Sequence, residues 1–272
     1  MKIAFIAMVI GIIPAIANLV QAENPPRISD VQAITVEENG EITVKVSSGS
    51  NISRITSLGF NAGDKINVKT KSVDNEGNVV VIISNSTQHI VHQVYLDSDM
   101  PDIIPICLKG PEVLFSVKTL VGDKDNFGFG SGKVPCDFFN NTGVNDVGVF
   151  DRELSGGDEV EVWHHTKSSQ EVADAIAARK KVIINLKIRE TFSDPGLGST
   201  INVADKLTFQ LEADGSDCSG GCQCHFGTIH TFTFSKKKVR KALRKHDLKI
   251  TFTENGDDIG LDYSELVISK VN

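Results

Sequence analysis

Residues 33–46 read AITVEENGEITVKV. Two runs, Ala33-Ile-Thr-Val-Glu37 and Ile42-Thr-Val-Lys-Val46, alternate apolar with polar side chains, the period of a strand with one buried face. Between them stands Asn39-Gly40, whose residues accept the positive φ that a tight hairpin turn requires. The pair predicts a β-hairpin. The same signature continues outward at residues 53–59, 65–70, 78–84 and 90–96, with Asp74-Asn-Glu-Gly77 as a further turn. It predicts a half-buried antiparallel layout. Pro101, Pro105 and Gly110-Pro111 then interrupt the pattern, which places a domain boundary near residue 110.

Beyond that boundary the strands resume at residues 113–119, 159–165, 182–188, 206–211, 228–234, 248–252 and 264–271. One helix is expected among them. Ser168-Ser-Gln-Glu171 reads as a capping box, Val172 and Ile176 share one side, and Arg179-Lys-Lys181 suits a helix C-terminus. Three segments, beginning Ala62-Gly-Asp64, Gly156-Gly-Asp158 and Ala204-Asp205, each set a small residue and an Asp before an alternating strand, a turn feeding a core strand. The expected class is all-β, with two antiparallel β-sandwich domains, 23–110 and 111–272, and one short helix in the second. Helices do not alternate with strands, so a parallel α/β fold is not indicated.

Residues 1–22 begin with Lys2, continue through an apolar core and close on small residues before Glu23, the pattern of a secretory signal peptide. Pro14 interrupts the apolar run, which favours a cleaved leader over an anchor. The whole chain, 40% hydrophobic and 23% charged, is globular in composition. Its net charge of −7 argues against nucleic acid as the main partner and suits a soluble, exported protein.

Export makes the five cysteines disulfide candidates. Cys107 and Cys136 stand alone, whereas Cys218, Cys222 and Cys224 crowd together beside His225. Four ligands within eight residues lack the paired spacing of a zinc site, so disulfides are expected. One arrangement joins Cys107 to Cys136 and two of the clustered three, leaving an odd thiol that could reach a partner chain. Asn51, Asn85 and Asn140 each begin an N-glycosylation tripeptide.

Residues 121–165 gather acids, glycines and aromatics before a strand bearing the only tryptophan, Trp163. Within them, Asp123-Lys-Asp125-Asn-Phe-Gly128 spaces hard oxygen ligands as calcium prefers, although no Glu follows to complete an EF-hand loop. Asp146 and Asp151 could complete such a site, with Asp258 and Asp262 as further contributors. Turn formation alone is the competing reading of the same residues.

Seven cations, Lys236, Lys237, Lys238, Arg240, Lys241, Arg244 and Lys245, occupy ten residues of an acidic chain. Val239 and Leu243 are four apart, so one helical turn could bury them while the charges face water or hold an anionic polymer. Catalytic signatures are missing: there is no Gly-x-Ser-x-Gly elbow and no His-Glu-x-x-His pair. His164 and His165 are strand neighbours and point to opposite faces. Asp257 and Asp258 with Asp262 fit turn chemistry better than glycoside hydrolysis.

The order Asp125-Asn-Phe-Gly-Phe-Gly130, Gly143-Val-Asn-Asp146, Phe150-Asp151, a Gly-Asp before a Trp-His strand, Leu248-Lys-Ile-Thr-Phe252 and Ile259-Gly-Leu-Asp-Tyr263 resembles modules of exported bacterial PEP-CTERM-type proteins. The resemblance covers about the C-terminal 160 residues and implies jelly-roll sandwiches without a catalytic residue. The expected function is therefore a secreted, non-catalytic matrix or adhesion protein, calcium-stabilised and suited to a mineralised matrix, with extracellular polysaccharide or matrix components as partners. The alternative is a carbohydrate-binding module in which Trp163 stacks on sugar.

Overall fold

The computed structural model describes residues 28–35, 41–45, 52–56, 65–72, 78–85, 90–97, 100, 103–105, 113–129, 148–154, 159–166, 169–177, 182–191, 199–211, 227–255 and 259–271. In chain order the elements are β1 (Ile28–Thr35), β2 (Glu41–Lys45), β3 (Ile52–Thr56), β4 (Lys65–Ser72), β5 (Val79–Asn85), β6 (Ile90–Leu96) and β7 (Ile103–Pro105). There follow β8 (Val113–Gly122), β9 (Glu153–Leu154), β10 (Val160–Thr166), α1 (Ser169–Ala177) and β11 (Val182–Thr191). The last are β12 (Thr200–Val203), β13 (Leu207–Gln210), β14 (Thr228–Ser235), α2 (Lys236–Arg244), β15 (Asp247–Thr253) and β16 (Ile259–Val271). The class is all-β, as the alternating patterns predict.

The largest sheet runs β1-β4-β5-β6-β14-β11-β16-β8, with β9 paired to one end of β16. A second sheet has the order β10-β15-β12-β13, and a third β2-β3-β7. The predicted hairpin across Asn39-Gly40 does not form: β1 pairs with β4 and β2 with β3, so its two strands enter different sheets. A turn signal is local, whereas pairing is decided by which face each strand can bury. Strands from both sides of residue 110 share the large sheet, because β6 pairs in parallel with β14. Nor are β5 and β6 half-buried; almost every position along both is covered, which fits the near-continuous apolar run of β5, while β6 also buries His92 and Gln93.

The four-stranded sheet packs over the large one between β14 and β8. Ile184, Leu186, Ile188, Phe232, Phe234, Leu266 and Ile268 meet Trp163, Ile201, Phe209, Ile250 and Phe252 in a single apolar cluster. Phe209 sits 4.9 Å from Phe232 and 6.0 Å from Phe234, ring centroid to centroid, at aromatic packing distance. The β12–β13 hairpin turns through Ala204 and Asp205, both at positive φ, the echo turn seen in the sequence.

Helix α2 sits beside this core and buries Val239 and Leu243, the two apolar positions of its basic sequence. Ser235 caps it: its Oγ accepts from the Lys237 N–H at 3.2 Å and donates to Asp97 at 2.8 Å. Ser235→Ala is expected to cost about 1–2 kcal/mol, read as a lower midpoint in urea unfolding at an unchanged slope, because cap and buried hydrogen bond are lost together. An unchanged midpoint would exclude that role.

Candidate functional site

The acidic passage is organised by an irregularity in β16. Against β11, Arg189 pairs with Tyr263 and Glu190 with Leu261, which leaves Asp262 as the extra residue of a bulge. Both loops of the passage dock at this bulge. From the first loop, Phe127 N–H donates to Asp262 Oδ1 at 3.1 Å. From the second, Asp151 N–H donates to the Leu261 carbonyl at 2.8 Å. Gly122 enters where a Cβ would stand 2.7 Å from the Asp262 carbonyl oxygen, and its φ of +72° is one that other residues rarely adopt.

The first loop is tightly held. Asp123 Oδ1 accepts from Asp125 N–H at 3.0 Å and Asp125 Oδ1 from Gly128 N–H at 2.8 Å, so both carboxylates shape the turn. Asn126, Phe127 and Gly128 are consecutive at positive φ, a conformation Phe127 adopts only because its surroundings over-determine it. Its ring is wholly buried, with the Arg189 guanidinium 5.0 Å above it. Arg189 also donates to Asn126 Oδ1 at 2.6 Å and to Asp262 Oδ2 at 2.9 Å. On the other side Lys124 reaches Glu265 at 2.5 Å and lies over the Tyr263 ring. Burial opposes the Glu265 charge, but Lys118 and Lys124 hold its carboxyl below the usual range, whereas burial, then Glu265, pushes the Tyr263 hydroxyl up to about 12.

With both loops so placed, Asp123, Asp125 and Asp151 each offer a carboxylate oxygen within 4.8 Å of the other two. Oxygens sharing an ion at 2.3–2.6 Å lie no farther apart than about 5 Å, so the three fit one calcium sphere and supply part of its six to eight ligands. Asp123 is exposed and Asp151 buried at 1% exposure, so the cluster opens to solvent on one side.

Asp262, expected as a metal ligand, is not in this group. Its oxygens are committed to Phe127 N–H and Arg189, and burial raises its carboxyl above the ordinary carboxylate range against the pull of those two partners. Asp146 and Asp258 lie outside the described residues, as do all five cysteines, Asn51 and Asn140. Asn85 ends β5 at 7% exposure, so a glycan there would displace packed neighbours, which corrects its assignment as an acceptor. Trp163 is corrected likewise: it is 5% exposed with its ring edge-on to Phe150, which leaves no face for stacking on sugar.

All seven cations of the basic run lie on or directly after α2. His164 faces solvent beside Asp247, while His165 points inward between Thr119 and Ser264, as strand alternation predicts. Arg189 is a strand residue without a motif in the sequence; only the bulge opposite it reveals its part.

Fold and site together define an all-β protein with converging carboxylates at the end of a sheet. No family model, curated protein or solved structure matches the chain.

Proposed function

We propose that this chain is a secreted, non-catalytic structural or adhesive protein of an extracellular matrix, one suited to mineralisation, stabilised by calcium at Asp123, Asp125 and Asp151. The observation that carries the reading is the convergence of those three carboxylates from two loops docked on one bulge. A hard cation there would join the two loops and offset the mutual repulsion of their charges. The leader-like first 22 residues support export, and the resemblance of about the C-terminal 160 residues to exported jelly-roll modules supports a sandwich arrangement of those strands. The lectin alternative is set aside because Trp163 is enclosed.

Thermal unfolding with calcium and then with a chelator tests the ion site. Binding only to the folded state adds about 2.7 kcal/mol at a hundredfold excess over the dissociation constant. The melting temperature is therefore expected to rise by several degrees with calcium. The rise is expected to vanish in Asp123→Asn/Asp125→Asn, whose turn-forming oxygens are retained. An equal melting temperature with calcium and chelator would reduce the passage to turn chemistry.

A further inference from the structure

Helix α2 combines features that solubility does not require. Around a helix advancing about 100° per residue, Lys237, Arg240, Lys241 and Arg244 fall within one arc of about 100°, opposite the buried Val239 and Leu243. All four are exposed, as is Lys245 just beyond the helix end. Among the described residues, Arg240, Lys241, Arg244 and Lys245 enter no ion pair, although the chain has 35 acidic residues against 28 basic ones. The first turn holds no acid and three lysines, where the positive end of the helix dipole disfavours them. Arg240, Lys241, Arg244 and Lys245, without an ion pair among the described residues of an acidic protein, are complementary to an external polyanion.

We infer that the exposed face of α2 binds a linear sulfated polysaccharide, with Arg240 and Arg244 as its central contacts. The four helical cations run along about 10 Å of helix, a row suited to successive anionic groups on an extended chain. Guanidinium forks match sulfate oxygens in pairs, as they match phosphate and carboxylate. Single-stranded nucleic acid is a poorer fit, since among the described residues no large aromatic side chain is exposed for bases to stack on. A bilayer is poorer too: an interfacial helix needs a free apolar face, and Val239 and Leu243 are already enclosed by the core. This surface is separate from the acidic cluster and does not depend on calcium.

The experiment compares retention on immobilised heparin for the full chain, Arg240→Gln/Arg244→Gln and the charge-matched control Lys206→Gln/Lys270→Gln, all with a chelator present. Near-physiological salt is used, and circular dichroism checks that each variant is folded. The first variant is expected to lose about thirtyfold in affinity, and the control to stay within about twofold of the parent. Equal losses in both variants, no binding by the parent, or binding that disappears with the chelator would overturn the inference. So would tighter binding to duplex DNA or to phosphatidylserine vesicles at the same salt, which would give the patch to another class of partner.

Discussion

Arg189→Met is expected to destabilise the protein by about 3 kcal/mol, the lower end of the range for breaking a buried ion pair, because Arg189 retains some contact with water. The change leaves the fully buried Asp262 carboxylate without its cation and removes the donor to Asn126 Oδ1. The loss has a direction in pH. Burial already raises Asp262 above its unfolded value, and removing Arg189 raises it further. A carboxyl with a raised folded pKa binds its proton more tightly in the folded state, so its contribution to stability falls as pH rises through that range. The deficit of the variant is therefore expected to be largest near pH 7 and to shrink on acidification. Urea unfolding at a series of pH values measures it, and Arg189→Met/Asp262→Asn should recover part of the loss at pH 7. A deficit below about 1 kcal/mol, or one independent of pH, would remove the pair from its role in holding the loop.

The second large effect belongs to His165, which is 3% exposed. Its Nδ1 lies 2.9 Å from Thr119 Oγ1 and its Nε2 2.8 Å from Ser264 Oγ, on the wall of a small cavity shared with Val117, Val172 and Leu243. The two hydroxyls satisfy a neutral imidazole. Burial lowers its pKa from 6.5 to about 4. Between those values the unfolded chain takes up a proton that the folded one refuses, so stability falls as pH drops from about 6.5 to 4, by about 3 kcal/mol in all. Other groups titrate in the same window, so the quantity to read is the difference between the parent and His165→Gln. The variant is expected to show a flatter acid limb, and equal slopes would assign the acid sensitivity elsewhere.

Much of the fold could be read from local pattern. Helix α2 was legible only in part: Val239 and Leu243, four apart, allow a helical turn, but one helix was expected and the structure has two, because the cap at Ser235 directly ends a strand and gives no separate signal. That His164 and His165 point to opposite faces followed from a period of two; which one is buried did not. Pairing was less legible, because Asn39-Gly40 specifies a turn but not the partner of the strand it releases. The short strands β7, β9 and β12 also escaped, since two to four residues carry too little alternation to be distinguished from loop.

The acidic site was legible in composition and obscure in membership. Asp123 and Asp125 announce themselves by spacing, and Asp151 joins them only because Leu261 supplies the carbonyl that holds its backbone. Asp262 resembles its acidic neighbours in sequence, yet the bulge turns it towards Arg189. Bulges of this kind have no one-residue signature.

The parallel pairing of β6 with β14 also bears on how the chain reaches this structure. Ile90 meets Ile229, residues about 140 apart in sequence, so the central ladder of the large sheet is a contact of very high order and is expected to form late. During synthesis from the N-terminus, β4, β5 and β6 emerge long before β14 exists. Through that interval the apolar edge of β6 has no partner and can template pairing with another nascent chain. The hazard period is set by the time needed to make and deliver residues 97–235, and a protein truncated within them would carry that edge permanently.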